Sequence, residues 1–230
     1  DMKDGTPFVW NNQSNPYDNR DPRMKYTIVC NEMKWPVDPV EIWEGGTNGL
    51  PLQNATTTGY YLKKYVNNTI SFEAGSTVTK KQHNWVLFRY GEILLNYAEA
   101  MINAFHDPNY KDAVYNMSAR EAVNQIRGRT NISLPGFPSD ITEKDFVKRL
   151  KNERRVELAF EGHRFWDVRR WKELGQTANI YGVKITKNNE VISYEKFLLE
   201  TRAVTDNMYF YPIPNTERFK NPNLGQNPGW

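Results

Sequence analysis

The spacing of apolar residues changes character along the chain and divides it in two. Up to about residue 84 they come in short runs, such as Lys25 to Cys30 and Tyr60 to Val66, set among Gly, Asn, Pro and Thr. Short runs bounded by turn-forming residues predict a few β-strands on a loop-rich region, residues 1–84. From Trp85 the period lengthens. Val86 to Phe105 places Tyr90, Leu94, Tyr97, Met101 and Phe105 on one stripe, with Glu92, Asn96, Glu99 and Asn103 opposite, which predicts an amphipathic helix. A second helix starts at Ser118, whose hydroxyl can cap while Glu121 returns the bond, and it buries Ala119, Ala122, Val123 and Ile126 before ending near Gly128. A third begins near Thr142, with Asp145 as the matching acid, and is expected to run to about Leu174 through Gly162. Beyond Gly175 the chain is expected to be irregular, with a turn at residues 187–189 and a proline-rich ending, YFYPIP then NPNLGQNPGW. Residues 85–230 thus form the helical region, and two helices joined by a short loop are the unit of tetratricopeptide-like stacks.

The third helix carries the densest chemistry, in NERRVELAFEGHRFWDVRRW (residues 152–171). Val147, Leu150, Leu158, Phe165 and Val168 share a face, yet Arg154 and Glu161 lie on it too. Charges among apolar residues are costly unless paired. Glu161 with Arg164, Arg164 with Asp167 and Asp167 with Arg170 are each three apart, hence helix neighbours, and further partners must come from elsewhere in the fold. One reading is an active site, with Glu157 and Glu161 as the paired carboxylates of a glycosidase. The other is a part-buried ionic lattice of Arg154, Glu157, Glu161, Arg164, Asp167 and Arg170. Interleaved arginines lower carboxylate pKa values whereas a general acid needs its own raised, which favours the lattice.

Composition narrows the function classes. Aromatic residues make up 13% of the 230, with seven Trp, and several sit among Gly, Asn and Pro where core packing is not the obvious explanation. Rings of that kind suit sugars, whose apolar faces stack on them. The net charge of +3 is small and the basic residues alternate with acidic ones, so nucleic acid is not an expected partner. Cys30 is alone, so no internal disulfide forms, and His83, His106 and His163 make no metal-binding pair. No metal or cofactor is implied. No apolar run is long enough to cross a bilayer as a helix, and no cleavable signal starts at Asp1; the chain is either cytoplasmic or begins after a removed or missing segment. The Asn-x-Ser/Thr triplets at Asn12, Asn54, Asn67, Asn116 and Asn131 read as chance matches in an Asn-rich chain.

Taken in order, DPRMKYT, TGYYLKKYV, FRYGEILLNYAEA, AVNQIRGRT, NERRVELAFEGHRFWDVRRW, YPIP and NPNLGQNPGW resemble the C-terminal half of the SusD/RagB family. The resemblance covers most of residues 21–230. It implies a mainly α fold, with part of a tetratricopeptide-like helical (α-α superhelix) scaffold and a loop-rich region bearing a few short β-strands. It implies a surface-exposed outer-membrane lipoprotein of Gram-negative bacteria that binds oligosaccharide or polysaccharide without cleaving it. The implied partner is a SusC-type TonB-dependent transporter. The lipidated Cys and N-terminal half of that family are absent from this sequence, so it is read as a C-terminal piece, with membrane attachment only through an anchor outside it.

The family's ligand contacts vary among members, so the sugar site is argued from chemistry. Glycan sites need flat rings and short polar side chains held on loops. Residues 31–54 supply Trp35 and Trp43, with Asp38, Glu41 and Asn48 as candidate hydroxyl partners. Trp10 with Tyr17 is a second candidate pair, while Trp85, Trp166 and Trp171 are expected to pack on the helices. Tyr209, Phe210 and Tyr211 are expected to pin the tail to the helices. The competing readings are a helical-repeat scaffold that grips a protein or peptide, and the glycosidase.

Overall fold

A computed structural model of the protein describes residues 1–11, 15–70 and 79–230; the triplet at Asn12 lies outside the described residues. Its elements run α1 (Met24–Thr27), β1 (Ile28–Val29), β2 (Tyr61–Leu62), α2 (Tyr90–Phe105), α3 (Ala119–Arg127), α4 (Glu143–Glu157), α5 (His163–Arg170), β3 (Asn179–Asn188), β4 (Val191–Thr201) and α6 (Asn215–Lys220). The fold is mainly helical with a few antiparallel strands, as expected.

The helix expected from Val86 begins at Tyr90 instead. Arg89 is extended (φ −143°, ψ 155°), because its guanidinium is drawn to carboxylates on a distant element, and Val86, Leu87 and Phe88 are left exposed. At the other end His106 adopts a left-handed φ of 57° and its N–H closes on the Ile102 carbonyl. The buried stripe is Leu94, Leu95, Ala98, Met101 and Ile102; Tyr90 lies outside it, and Glu92, expected on the polar face, is buried with His163 Nε2 3.6 Å away. The expected stripe was rotated because Leu95, Ala98 and Ile102 compete for the same core.

Helix α3 starts as the sequence dictates. Ser118 accepts from the Glu121 N–H and Glu121 accepts from the Ser118 N–H, so two otherwise orphaned donors are satisfied. Its small buried residues Ala119 and Ala122 let it lie close to α2, and Phe146 and Leu150 of α4 close the same core. Thr142 caps α4 by accepting from the Asp145 N–H.

The single helix expected from Thr142 to Leu174 is in fact two, α4 and α5. Phe160 (φ 63°) and Gly162 (φ 83°) adopt left-handed conformations that no helix interior admits. Where the chain leaves α4, cations take up the Glu157 carbonyl and the Ala159 carbonyl just beyond it: Arg89 Nη2 donates to the first (2.6 Å) and Lys64 Nζ to the second (3.0 Å).

The stretch after Gly175 is also ordered where irregular chain was expected. Residues of β3 and β4 pair antiparallel from Asn179–Thr201 to Asn188–Val191, joined through Asn189 (φ 54°) and Glu190, so the turn shares Asn189 with the expected 187–189 while Lys187 and Asn188 belong to the strand. The outer edge of β3 is covered by the loop region: the Val183 N–H donates to Thr58 and the Glu44 N–H to Ile185, both at 2.9 Å. Gly59 (φ 79°) makes this approach possible, since a Cβ there would sit 2.4 Å from the Val183 carbonyl oxygen. A second core results, built from Val29, Val40 and Ile42 of the loop region and Val183, Ile185 and Tyr194 of the hairpin. Tyr211 stacks on Phe165 of α5 (5.8 Å between centroids), which holds the tail against the helices.

Candidate functional site

The charged segment is a network whose partners come from far along the chain. Glu157, buried, accepts from Arg89 Nη1 at 2.7 Å, Arg23 Nη1 at 2.9 Å and Arg129 Nη2 at 2.8 Å. Glu161 accepts from Arg89 Nε at 2.6 Å and from Lys64. Glu153 joins Arg23 to the fully buried Arg127, and Asp21 takes the other edge of Arg23. Arg154 meets Asp167, and Asp167 meets Arg170 at 2.7 Å, which in turn reaches Glu99. Of the three neighbour pairs expected along the helix, only Asp167 with Arg170 forms. Glu161 lies before the break that opens α5 and turns to Arg89 and Lys64, while Asp167 is already held by Arg154 and Arg170 and Arg164 donates instead to Gln176 Oε1 at 2.8 Å.

These environments decide what the carboxylates can do. Burial by itself would raise the pKa of Glu157, but the hydrogen bonds from Arg89 and Arg23 and the charge of Arg129 outweigh it and bring the value down to about 2. Glu161 is likewise lowered, burial being outweighed by Arg89 and Lys64. Both stay ionised at neutral pH, and neither offers the raised-pKa acid that protonates a glycosidic oxygen.

The aromatic candidates are gathered on the second core. Trp10, Tyr17, Trp35 and Trp43 all pack against it, each part-buried. Tyr17 is held edge-on to Tyr194 (5.3 Å) and Tyr60 (6.0 Å), with its hydroxyl enclosed, so it has least to offer a ligand. Trp10 sits edge-on to Phe8. Trp35 and Trp43 each carry a lysine over one ring face, Lys63 Nζ at 4.4 Å and Lys187 Nζ at 4.7 Å from the centroids. Their loop is braced from within. Asn31 accepts from the Ile42 N–H and donates to the Tyr194 hydroxyl, and the Tyr61 hydroxyl donates to the Asn48 carbonyl at 2.6 Å. Glu41 accepts from Thr47, and Asn48 Oδ1 accepts from the Glu41 N–H, so both help shape the loop; the Asp38 carboxylate is exposed.

Packing was expected for three other tryptophans, and they differ. Trp171 is half-buried with its Nε1 donating to Glu99, whereas Trp85 is 82% exposed and Trp166 is exposed beside Phe165 and Tyr211. Residues not singled out from sequence also converge: Tyr26, Tyr65, Arg89 and Arg129 line one cavity with Glu157 and Glu161. The only signal for them was the demand that charges on the apolar face find partners elsewhere. Among the described residues no group of three or more His, Cys, Asp or Glu side chains is placed to hold a metal, and no helix is long and apolar enough to cross a membrane.

The same architecture occurs in proteins already solved. The chain superimposes on a SusD-like protein of Bacteroides fragilis with a TM-score of 0.81 and 27% identity, covering 100% of this chain and 45% of that one. A SusD-like protein of Formosa agariphila is 29% identical over 163 residues, 68% of this chain and 28% of the relative, and a second from that organism is 37% identical over 150 residues, 63% and 24%. The chain therefore spans about a quarter of the length of these curated relatives and under half of the solved one. A model of the SusD family matches residues 1–230, from the loop that carries Arg23 through the ionic network to the proline-rich tail, and the chain belongs to that family.

Proposed function

We propose that this chain is part of a cell-surface protein that binds oligosaccharide or polysaccharide without cleaving it and delivers it to a SusC-type TonB-dependent transporter in the outer membrane of a Gram-negative bacterium. As a lipoprotein it would be held at that membrane's outer surface. Membership of the SusD family across the whole chain carries this reading. The loop chemistry supports it: Trp35 and Trp43 are part-exposed rings on a braced loop, with the Asp38 carboxylate exposed beside Trp35 and its cis-linked Pro36. Delivery without hydrolysis agrees with Glu157 and Glu161 being held as anions by arginines and Lys64.

Affinity electrophoresis through polysaccharide-loaded gels tests it. Retention of the chain by a polysaccharide should be lost in Trp43→Ala and in the Trp35→Ala, Trp43→Ala double variant, with near-native circular dichroism at the gel temperature. Release of reducing sugar by the purified chain, abolished by Glu161→Gln, would overturn the non-catalytic part.

A further inference from the structure

A cavity of about 350 Å³ opens where α4 ends, walled by Tyr26, Tyr65, Arg89, Arg129, Glu157 and Glu161. That volume is in the range of small-ligand sites. Its charges do not balance. The ion pairs that meet here form one closed network among the described residues, with Arg23, Lys64, Arg89, Arg127 and Arg129 against Asp21, Glu153, Glu157 and Glu161. One cation is in surplus. It is expressed at Arg129, whose side chain is 40% exposed while Arg127 is fully enclosed.

Arg129 is also the least satisfied member. Its Nη2 donates to Glu157 Oε2 at 2.8 Å, and its Nε is enclosed without an acceptor. The two carboxylates do not repel an incoming anion as bare charges would, because guanidinium or ammonium groups hold every one of their oxygens. The Glu157 and Ala159 carbonyls at and just past the end of α4 are occupied by Arg89 and Lys64, so neither is left to accept from Arg129. Beside the cation, Tyr26 and Tyr65 are 49% and 44% exposed and line the same space, each with a lysine near its ring, Lys25 Nζ at 5.2 Å and Lys64 Nζ at 5.8 Å from the centroids. The enclosed Nε is out of a ligand's reach, but the outer end of the 40%-exposed guanidinium, held by a single hydrogen bond through Nη2, is not, and a ring next to it suits a ligand that is flat and apolar on one side and anionic on the other.

We propose that this cavity captures an anionic sugar unit, its carboxylate or sulfate oxygens on Arg129 and its ring against Tyr65 or Tyr26. The sugar component of the proposal rests on the glycan-binding reading above; capture of an anion does not. The site is separate from the rings of Trp35 and Trp43, which pack on the second core.

Calorimetric titration of the chain with glucuronate, glucose 6-sulfate, glucose and inorganic sulfate tests it. The two acidic sugars should bind and glucose should not. Arg129→Gln should weaken them about tenfold, the size expected for one lost charge-assisted hydrogen bond. Arg129→Lys should recover part of the loss. Asn131→Asp, which adds a carboxylate at the rim without touching the ion pairs, should weaken binding too. Equal binding of glucose, or indifference to both Arg129→Gln and Asn131→Asp, overturns the proposal, and inorganic sulfate binding as tightly as glucose 6-sulfate overturns its sugar component. Retention by neutral polysaccharide should survive Arg129→Gln. Retention without glucuronate binding sinks the cavity alone, and glucuronate binding without any polysaccharide retention sinks the delivery reading alone.

Discussion

Arg154 of α4 and Asp167 of α5 face each other across the break between the two helices, with Nε 3.2 Å from Oδ2 and Nη2 3.3 Å from Oδ1. Arg154 also donates to Asn96 of α2 at 2.7 Å, so one guanidinium ties three helices where the backbone no longer does. Asp167→Asn keeps the shape and removes the charge, leaving a buried arginine uncompensated. The expected loss is about 3–5 kcal/mol, read as a shift in the urea midpoint with unchanged slope. A shift corresponding to under about 1 kcal/mol would show that Glu99, 3.8 Å from Arg154, suffices as its counter-ion.

Acid should weaken the fold through Glu157. Its folded pKa of about 2 lies below the ordinary 4.5, so its contribution is fully present above about pH 4.5 and is lost as pH falls towards 2. The difference amounts to about 3 kcal/mol at neutral pH. Glu161 and Glu99, both lowered, act in the same direction. Denaturant midpoints measured from pH 7 to pH 2.5 should fall along this limb, and Glu157→Gln should be less stable at pH 7 and show a flatter decline.

Gly59→Ala should detach the loop region from the hairpin. The new Cβ would meet the Val183 carbonyl oxygen at 2.4 Å, and the left-handed backbone adds a cost of about 1–2 kcal/mol for an L-residue. Amide exchange should accelerate at Val183 and Glu44, whose N–H groups bridge loop and hairpin, while the amides of α3 keep their protection. Equal acceleration throughout would show that the two cores open together.

Legibility from sequence followed the range of the interaction. The Ser118 and Thr142 caps are decided within four residues, and both helix starts were readable. The break at Phe160 and Gly162 was not, because the groups that satisfy the freed carbonyls, Arg89 and Lys64, lie about 70 and 95 residues away. The demand for distant counter-ions could be read from charges on an apolar stripe; that Arg23, Arg89 and Arg129 meet it could not. The hairpin is not legible from sequence although its residues alternate, since the mixed polar and charged strands hide a period of two that only one face uses. The aromatic loop could be singled out by composition, but the share of each ring left open is set by the second core, whose other half comes from residues 183–194.

That second core joins Val29 and Ile42 to Ile185 and Tyr194, so the segment that carries Trp35 and Trp43 is among the earliest parts of this sequence to be synthesised and among the last to find its support. During translation, and during any passage across a membrane, more than a hundred residues separate it from the hairpin that will hold it. The core around Phe146 is drawn from residues 94–158 alone, whereas the second core needs both the loop region and the hairpin beyond those helices. Truncation anywhere before Tyr194 would therefore leave a helical body whose Trp35–Trp43 loop lacks its support, a product that on the proposed reading keeps its helical circular dichroism and loses retention by polysaccharide.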